Sequence, residues 1–502
     1  MAGASPHLEG PHLMRDYHAD VPTASRLARD LASVVTAMAD ESQPNWVALD
    51  HAGRQITIRR LSRSMLSAAA TLGNAGAGVV TICESDPIRH TVAVLGALAA
   101  GRPAVLVDHR HPDGLLGDVV AETRATCCVG RQVAGLDCLS FDELLASAPR
   151  ARGPSTGAGP VHPDAPGTIF LTSGSTGRPK LVVRSREADV HAAMCVALAR
   201  FPIEPGDRHW LAVPYASAAF LTLVMGSLLK RATVVFAPFV RETVDRMLVE
   251  HEISSVYLVP TMLRLAREHD GLRGRGWDAL RGLATGGERL DDDTAAVLLD
   301  RFRSRVFCAY GMTECPRVTE ASLEEIAARP GTVGRPIPLR QVKIASIDGD
   351  VAVGAEGEVL VRGPDMFSGY LGGGPAEEWY RTGDFGRVDH DGYLYITGRA
   401  SAVVNVAGNR VSTEEVTAVL RGHPDLAQAA VIAVTDQVWS NRLEAFAVLR
   451  PGRRLSEAQL TEWLCERVAR YQVPRAITFL DVLPTDSSGK ISLHTLHGLV
   501  SS

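Results

Sequence analysis

Residues 168–180, Thr-Ile-Phe-Leu-Thr-Ser-Gly-Ser-Thr-Gly-Arg-Pro-Lys, constrain this chain more than any other stretch. The β-branched and aromatic run 168–171 predicts a buried strand. It runs out into Thr172, Ser173, Gly174, Ser175, Thr176 and Gly177, every one a hydroxyl residue or glycine. Bare N–H groups and small hydroxyls can approach anionic oxygens that bulkier side chains would block, and Lys180 adds a positive charge. The combination suits a polyphosphate. It is not the Gly-x-x-x-x-Gly-Lys-Ser/Thr loop. Gly174 and Gly177 are three apart, Pro179 precedes Lys180, and Leu181 follows it. Taken alone, a Gly/Ser/Thr cluster is more often a surface turn.

The surrounding pattern predicts an α/β protein. Strand patterns at 78–83 and 103–107 flank an apolar helix at 91–100, a βαβ unit that implies a parallel sheet. Helices at 190–199, 218–229 and 242–251 alternate with strands at 210–213, 233–236 and 255–258. Upstream, Leu27, Leu31, Val34, Val35 and Met38 recur at helical spacing, with Ser25 as candidate N-cap. From about 333 short strands and Gly/Asp turns take over, which predicts a small β-rich subdomain over about 333–397. Residues 398–502 read as a separate α+β unit with helices at 413–420 and 460–468 and strands at 429–434 and 443–449. The expected organisation is a large N-terminal domain of layered α/β subdomains, 1–397, and a small C-terminal domain, 398–502.

Composition removes several function classes. A chain of 502 residues exceeds one hydrophobic core and accommodates two or three domains. The net charge of −5, the lack of basic runs and an aromatic content of 5% give no footing to nucleic-acid binding. No apolar run is long enough to cross a bilayer. Residues 1–17 lack a basic segment followed by an apolar one, so no secretory signal is expected and the location is read as cytoplasmic. The eight cysteines are scattered without Cys-x-x-Cys, and the sixteen histidines show no metal-ligand spacing. His109 and His111 read as loop residues.

Thr172 to Lys180 closely resembles the phosphate loop of the acyl-adenylate-forming superfamily, which includes acyl- and aryl-CoA synthetases, adenylation domains of nonribosomal peptide synthetases, and beetle luciferases. Further motifs follow in that superfamily's order. Tyr310-Gly311-Met312-Thr313-Glu314 resembles its Tyr-Gly-x-Thr-Glu element. Gly357-Glu358 through Gly369-Tyr370, then Tyr380-Arg381-Thr382-Gly383-Asp384, resemble two more. Gly398-Arg399 with Gly408 resembles its hinge, and Pro484 with Gly489-Lys490-Ile491 its C-terminal element. The resemblance covers most of the chain, from about Val79 to Leu493.

That resemblance implies a reaction of MgATP with a carboxylate, giving acyl-AMP and pyrophosphate, in a large domain with a mobile lid hinged at about 398–401. It implies roles for residues. The 172–180 loop holds the β- and γ-phosphates, Glu314 is the carboxylate for Mg²⁺, and Thr313 contacts the α-phosphate. Gly286, Gly287 and Glu288 pack on the adenine, Tyr310 stacks on it beside Gly311, and Asp384 takes the ribose hydroxyls with help from Arg399. Lys490 bridges the carboxylate and the α-phosphate in the transition state. No carrier-protein motif follows Lys490, so any carrier is expected to be a separate protein; the acceptor that the resemblance implies is CoA or such a carrier's thiol.

The chain departs from the superfamily pattern at Leu181, where glycine is usual, at Ser401, where Asp or Lys is common, and at Asn405, where many members have lysine. The acid pocket is expected between the strand ending at Pro214 and the next helix, lined by Tyr215, Ser217, Ala218 and Phe220, with Thr285 and Met312. No aspartate in 214–220 is available to pair with an ammonium, which argues against α-amino acids and for a small alkyl, alkenyl or aryl acid. Open alternatives are an amide ligase, a diazotase-like enzyme that adenylates nitrite, or a nucleotide-binding module without catalysis.

Overall fold

The structure, a computed structural model, describes residues 30–41, 45–146, 162–172, 180–201, 203–346, 349–351, 353–399, 403–406, 409–436, 440–485 and 491–500. These divide into two compact units. One comprises 1–342 with 361–380, the other 343–360 with 381–502. The segment expected as a β-rich subdomain of the first unit is therefore shared between them. The physical reason is strand pairing: Gln341–Ser346, Gly357–Arg362, Tyr380–Val388 and Leu394–Arg399 are successive neighbours in one sheet, which draws 343–360 and 381–399 together.

The α/β layering expected from the sequence is present. In the first unit a seven-stranded sheet runs in the order Gly369–Tyr370, Lys180–Ser185, Pro166–Thr172, Ala104–Leu106, Val80–Cys83, Cys127–Gly130 and Asp137–Leu139. Val80 pairs in parallel with Ala104, and the helix Pro87–Ala99 makes the crossover, so the βαβ unit stands. Its helix starts four residues earlier than the apolar run suggested, because Asp86 caps it and Pro87 supplies a preset first turn. The first helix is likewise set by its cap. It begins at Leu31, where Asp30 accepts from the Ser33 N–H at 2.8 Å. The expected cap, Ser25, lies outside the described residues.

A second sheet of the first unit carries the parallel run Gly282–Gly286, Ser255–Tyr257, Arg208–Leu211, Thr233–Phe236 and Val47–His51. The helix Ala218–Leu229 is buried all round, as its nearly unbroken apolar sequence requires. It packs with Ile58–Asn74, Pro87–Ala99 and Arg186–Ala197 into the largest core cluster. On the opposite side Trp210 and Trp277, both fully buried, anchor a second cluster.

The second unit ends in a three-stranded sheet of Leu426–Asp436, Ser440–Leu449 and Ala476–Phe479. The helices Thr413–Arg421 and Glu457–Cys465 supply Val416, Leu420, Leu460 and Leu464 to its core. All eight cysteines are free, five of them buried, which fits their use as small apolar residues. Among the described residues no helix is long and apolar enough to cross a membrane.

Candidate functional site

Two hairpins of the first unit bring sequence-predicted residues together. The strands Pro166–Thr172 and Lys180–Ser185 pair antiparallel, with Thr172 opposite Lys180. The predicted phosphate loop thus hangs from the end of a buried strand whose Thr168, Ile169 and Phe170 are all covered. Ser173, Gly174, Ser175, Thr176 and Gly177 lie outside the described residues. The second hairpin joins Val306–Met312 to Cys315–Ser322, and Thr313 and Glu314 form its two-residue tip.

Glycine geometry shapes that second hairpin. The register slips between Tyr310 and Met312, a bulge at Gly311. A Cβ on Gly311 would overlap the Pro316 carbonyl, so the tip closes only with glycine there. The neighbouring parallel strand Gly282–Gly286 ends in the Gly286-Gly287 pair. A Cβ on Gly286 would stand 2.5 Å from the Ala309 carbonyl oxygen, and Gly287 sits at φ +87°, in the region glycine favours. Thr285 is buried beside them and its hydroxyl has no hydrogen-bond partner. Glu288 accepts from the Thr261 hydroxyl at 2.8 Å through Oε2, while its Oε1 is left without a partner. Orphaned buried polar atoms next to glycine-lined backbone are what a polar ligand would complete.

The segment 367–380, whose Gly369-Tyr370 motif carried no predicted role, ties the hairpins together. Gly369–Tyr370 adds an edge strand to Lys180–Ser185, with Tyr370 opposite Val182. The Tyr370 hydroxyl donates to Glu314 Oε1 at 2.7 Å and lies 3.1 Å from the Tyr380 hydroxyl. The Lys180 ammonium rests 4.9 Å from the centroid of the Tyr370 ring. Phe367 packs edge-on against both tyrosines, and its N–H donates to the Glu314 carbonyl at 2.9 Å. Burial, then the Tyr380 and Glu314 hydrogen bonds, push the Tyr370 phenol well above its ordinary value, so it remains a proton donor. The spacing of 314 from 370 gives no sequence signal for this contact, because it is made by tertiary pairing.

The predicted acid-pocket residues sit on two kinds of element. Ser217 caps the helix Ala218–Leu229. Its hydroxyl accepts from the Phe220 N–H at 3.1 Å and donates to the Pro214 carbonyl at 2.7 Å. Ala218 and Phe220 are core residues, with Phe220 against Phe236, Tyr215 and His90. Thr285 and Met312, by contrast, belong to the glycine-lined strands above. His90 went unnoticed in the sequence. It is buried, neither ring nitrogen has a hydrogen-bond partner, and burial lowers its pKa to about 4.

In the second unit Asp384 is buried and stands opposite Arg399 in an antiparallel pair. Its N–H donates to the Thr382 hydroxyl at 3.0 Å, and Gly383 turns at φ +73°. Lys490 and Ser401 lie outside the described residues. Among the described residues no group of three or more His, Cys, Asp or Glu could cage a metal. A single carboxylate such as Glu314 suits Mg²⁺, which keeps waters and shares oxygens with phosphate.

Comparison with known proteins gives the family and the fold. The sequence model described as AMP-binding enzyme matches residues 36–371, and that of the AMP-binding enzyme C-terminal domain matches 415–490. A feruloyl-CoA synthase from an Amycolatopsis species is 30% identical over 471 residues, 89% of this chain and 94% of that protein. A 2-succinylbenzoate–CoA ligase from Bacillus licheniformis is 33% identical over 348 residues, 67% of this chain and 70% of that one. The fold matches that of ATP-bound MatB from Rhodopseudomonas palustris with a TM-score of 0.84 at 21% identity, over 95% of this chain and 99% of that chain.

Proposed function

We propose a function for this chain from one premise: it belongs to the AMP-binding enzyme family. It is an ATP-dependent acid–thiol ligase. A carboxylate oxygen of a small acid attacks the α-phosphorus of ATP, the bond to pyrophosphate breaks, and acyl-AMP forms. A thiol sulfur then attacks the acyl carbon and AMP leaves. CoA is the first acceptor to consider, since the relatives above are named as CoA ligases and synthases; a carrier-protein thiol is the other.

One observation carries this reading. Lys180 and Glu314 meet at the two sides of one tyrosine, the ammonium over its ring and the carboxylate on its hydroxyl. A cation for a polyphosphate and an oxygen ligand for a divalent cation are thereby held next to each other, as a triphosphate carrying Mg²⁺ needs. Held by Glu314, Mg²⁺ would supply positive charge to the phosphate oxygens. The chain's own groups do the rest. The 172–180 loop grips the phosphates, Thr313 orients the α-phosphate, and Gly286, Gly287, Glu288 and Tyr310 accept the adenosine. Asp384 precedes the hinge at about 398–401, Arg399 lies in it, and Lys490 belongs to the lid that follows. Asp384 takes the ribose hydroxyls, Arg399 assists, and Lys490 neutralises charge at the reacting atoms.

Packing of Ser217, Ala218 and Phe220 into the fold leaves Tyr215, Thr285 and Met312 for the acid, and the lack of an aspartate in 214–220 favours a non-amino acid with an apolar body. The test is acid-dependent ATP–pyrophosphate exchange with a panel of alkyl, alkenyl and aryl acids, nitrite included, followed by addition of CoA, a carrier protein or an amine. Exchange with one organic acid class and AMP release on adding a thiol is the expected outcome. Exchange with nitrite alone, or amine-dependent turnover without thiol, would replace the proposal.

A further inference from the structure

Lys180 and Glu314 lie 134 positions apart and come from different hairpins, yet both are held by Tyr370. The phenol does two separable things. Its hydroxyl donates to one oxygen of Glu314, and its ring face carries the Lys180 ammonium. The order of donors is fixed by chemistry. Glu314 as a carboxylate can only accept, so Tyr370 donates to it, and the Tyr380 hydroxyl at 3.1 Å is left to donate to the Tyr370 oxygen. A directed chain results, Tyr380 to Tyr370 to Glu314. It is locked in place by Phe367, whose ring wedges against both tyrosines and whose N–H holds the backbone of Glu314.

From this geometry we infer that Tyr370 is a positioning residue for the metal carboxylate. By occupying Oε1 of Glu314 it leaves Oε2 for the divalent cation that accompanies ATP. It also keeps Lys180 beside that cation's site until phosphate oxygens draw the ammonium away. The inference rests on the proposed role of Glu314 and deepens it. A hydrogen-bonded partner behind a ligating carboxylate fixes its orientation, and loss of such a partner costs about 10- to 100-fold in metal affinity. Tyrosine suits the position because phenylalanine would keep the ring under Lys180 yet abandon Glu314, while a smaller residue would lose both.

The experiment needs no knowledge of the acid. Binding of Mn²⁺ to the full chain in the presence of ATP is followed by electron paramagnetic resonance for the wild type, Tyr370→Phe, Glu314→Gln, the double variant and Tyr380→Phe, with a thermal melt of each. Tyr370→Phe should weaken Mn²⁺ binding about tenfold while its melt stays at the wild-type position. Glu314→Gln should weaken it at least as much, and adding Tyr370→Phe to Glu314→Gln should change little more, since the two act through one oxygen pair. Tyr380→Phe, which leaves Glu314 untouched, should give a smaller loss in the same direction, and it carries the test if Tyr370→Phe folds poorly. If Tyr370→Phe and Tyr380→Phe bind Mn²⁺ as the wild type does while Glu314→Gln does not, the positioning role is overturned and the role of Glu314 stands. If Glu314→Gln itself binds Mn²⁺ normally, the carboxylate is not the ligand, and the proposal falls with that premise.

Discussion

Two regions of the first unit, here called the hairpin end and the Ser217 end after the elements that carry them, use side chains in opposite ways. At the hairpin end, glycines clear the backbone, and charged or hydroxyl groups are held half-open by a tyrosine: Lys180, Glu314 and Tyr370 are all reachable. At the Ser217 end, polar groups are consumed by packing. The Ser217 hydroxyl is spent on a helix cap, Phe220 fills the core, and His90 is sealed in as a neutral ring. The difference teaches where chemistry can reside. Groups already paired to the fold stabilise it, whereas groups held by one partner and open on the other side can receive a ligand. Substitutions on the chemical side should therefore change rate without stability, and those on the packed side the reverse.

The largest effect expected on the chemical side is at Lys490, which belongs to the second unit. In the proposed reaction its ammonium acts on the charge that builds up at phosphorus, so Lys490→Ala should slow acid-dependent pyrophosphate exchange about a hundredfold or more. Its thermal midpoint should match the wild type. Normal exchange in the variant would remove the lysine from the chemistry and leave the hairpin end of the first unit to account for the rate by itself.

The proposed phosphate and base contacts are the most legible part of the candidate site, for a physical reason. Phosphate and base approach demand particular residue types at short spacing, so Thr172 to Lys180, Gly286-Gly287 and Tyr310 to Glu314 are each visible as strings. The α/β layering was legible too, because apolar runs at 218–229 and 233–236 coincide with the helix Ala218–Leu229 and the strand Thr233–Phe236. What stayed hidden depends on tertiary contact. Tyr370 reaches Glu314 only through the edge strand opposite Val182. The capping role of Ser217 was hidden because the hydroxyl's partners, the Phe220 N–H and the Pro214 carbonyl, are fixed only by the folded turn. His90 sits in an ordinary apolar helix pattern, and its burial on every side becomes apparent only once Tyr215 and Phe220 pack on it.

His90 gives the next largest effect, on stability and not on nucleotide chemistry. Its folded pKa, about 4, lies below the ordinary 6.5, and His209 behaves alike. As pH falls below 6.5 the unfolded chain takes up protons that the folded chain refuses, so folded stability drains away until about pH 4. Each histidine contributes a slope of about 1.4 kcal/mol per pH unit in that window. His90→Leu removes one of those protons and offers an apolar ring substitute to Tyr215 and Phe220. Denaturant titrations between pH 7 and 4.5 should show a shallower decline for the variant, by about one proton. Half-saturation by ATP should stay where it was. An unchanged slope would mean that His90 gains a proton in the fold and is not sealed.

Ser217 should give the smallest effect, and it separates the two ends most sharply. Ser217→Ala deletes the cap on the Phe220 N–H and the donor to the Pro214 carbonyl, so it should lower stability by about 1 kcal/mol. Because the hydroxyl's proton and one of its lone pairs are already engaged by the fold, the ranking of acids in the exchange assay should be the same as in the wild type. A changed ranking at unaltered stability would show that the hydroxyl leaves its cap for the substrate. The packed end would then be part of the acid site, and polar groups satisfied by the fold could no longer be set apart from those that serve a ligand.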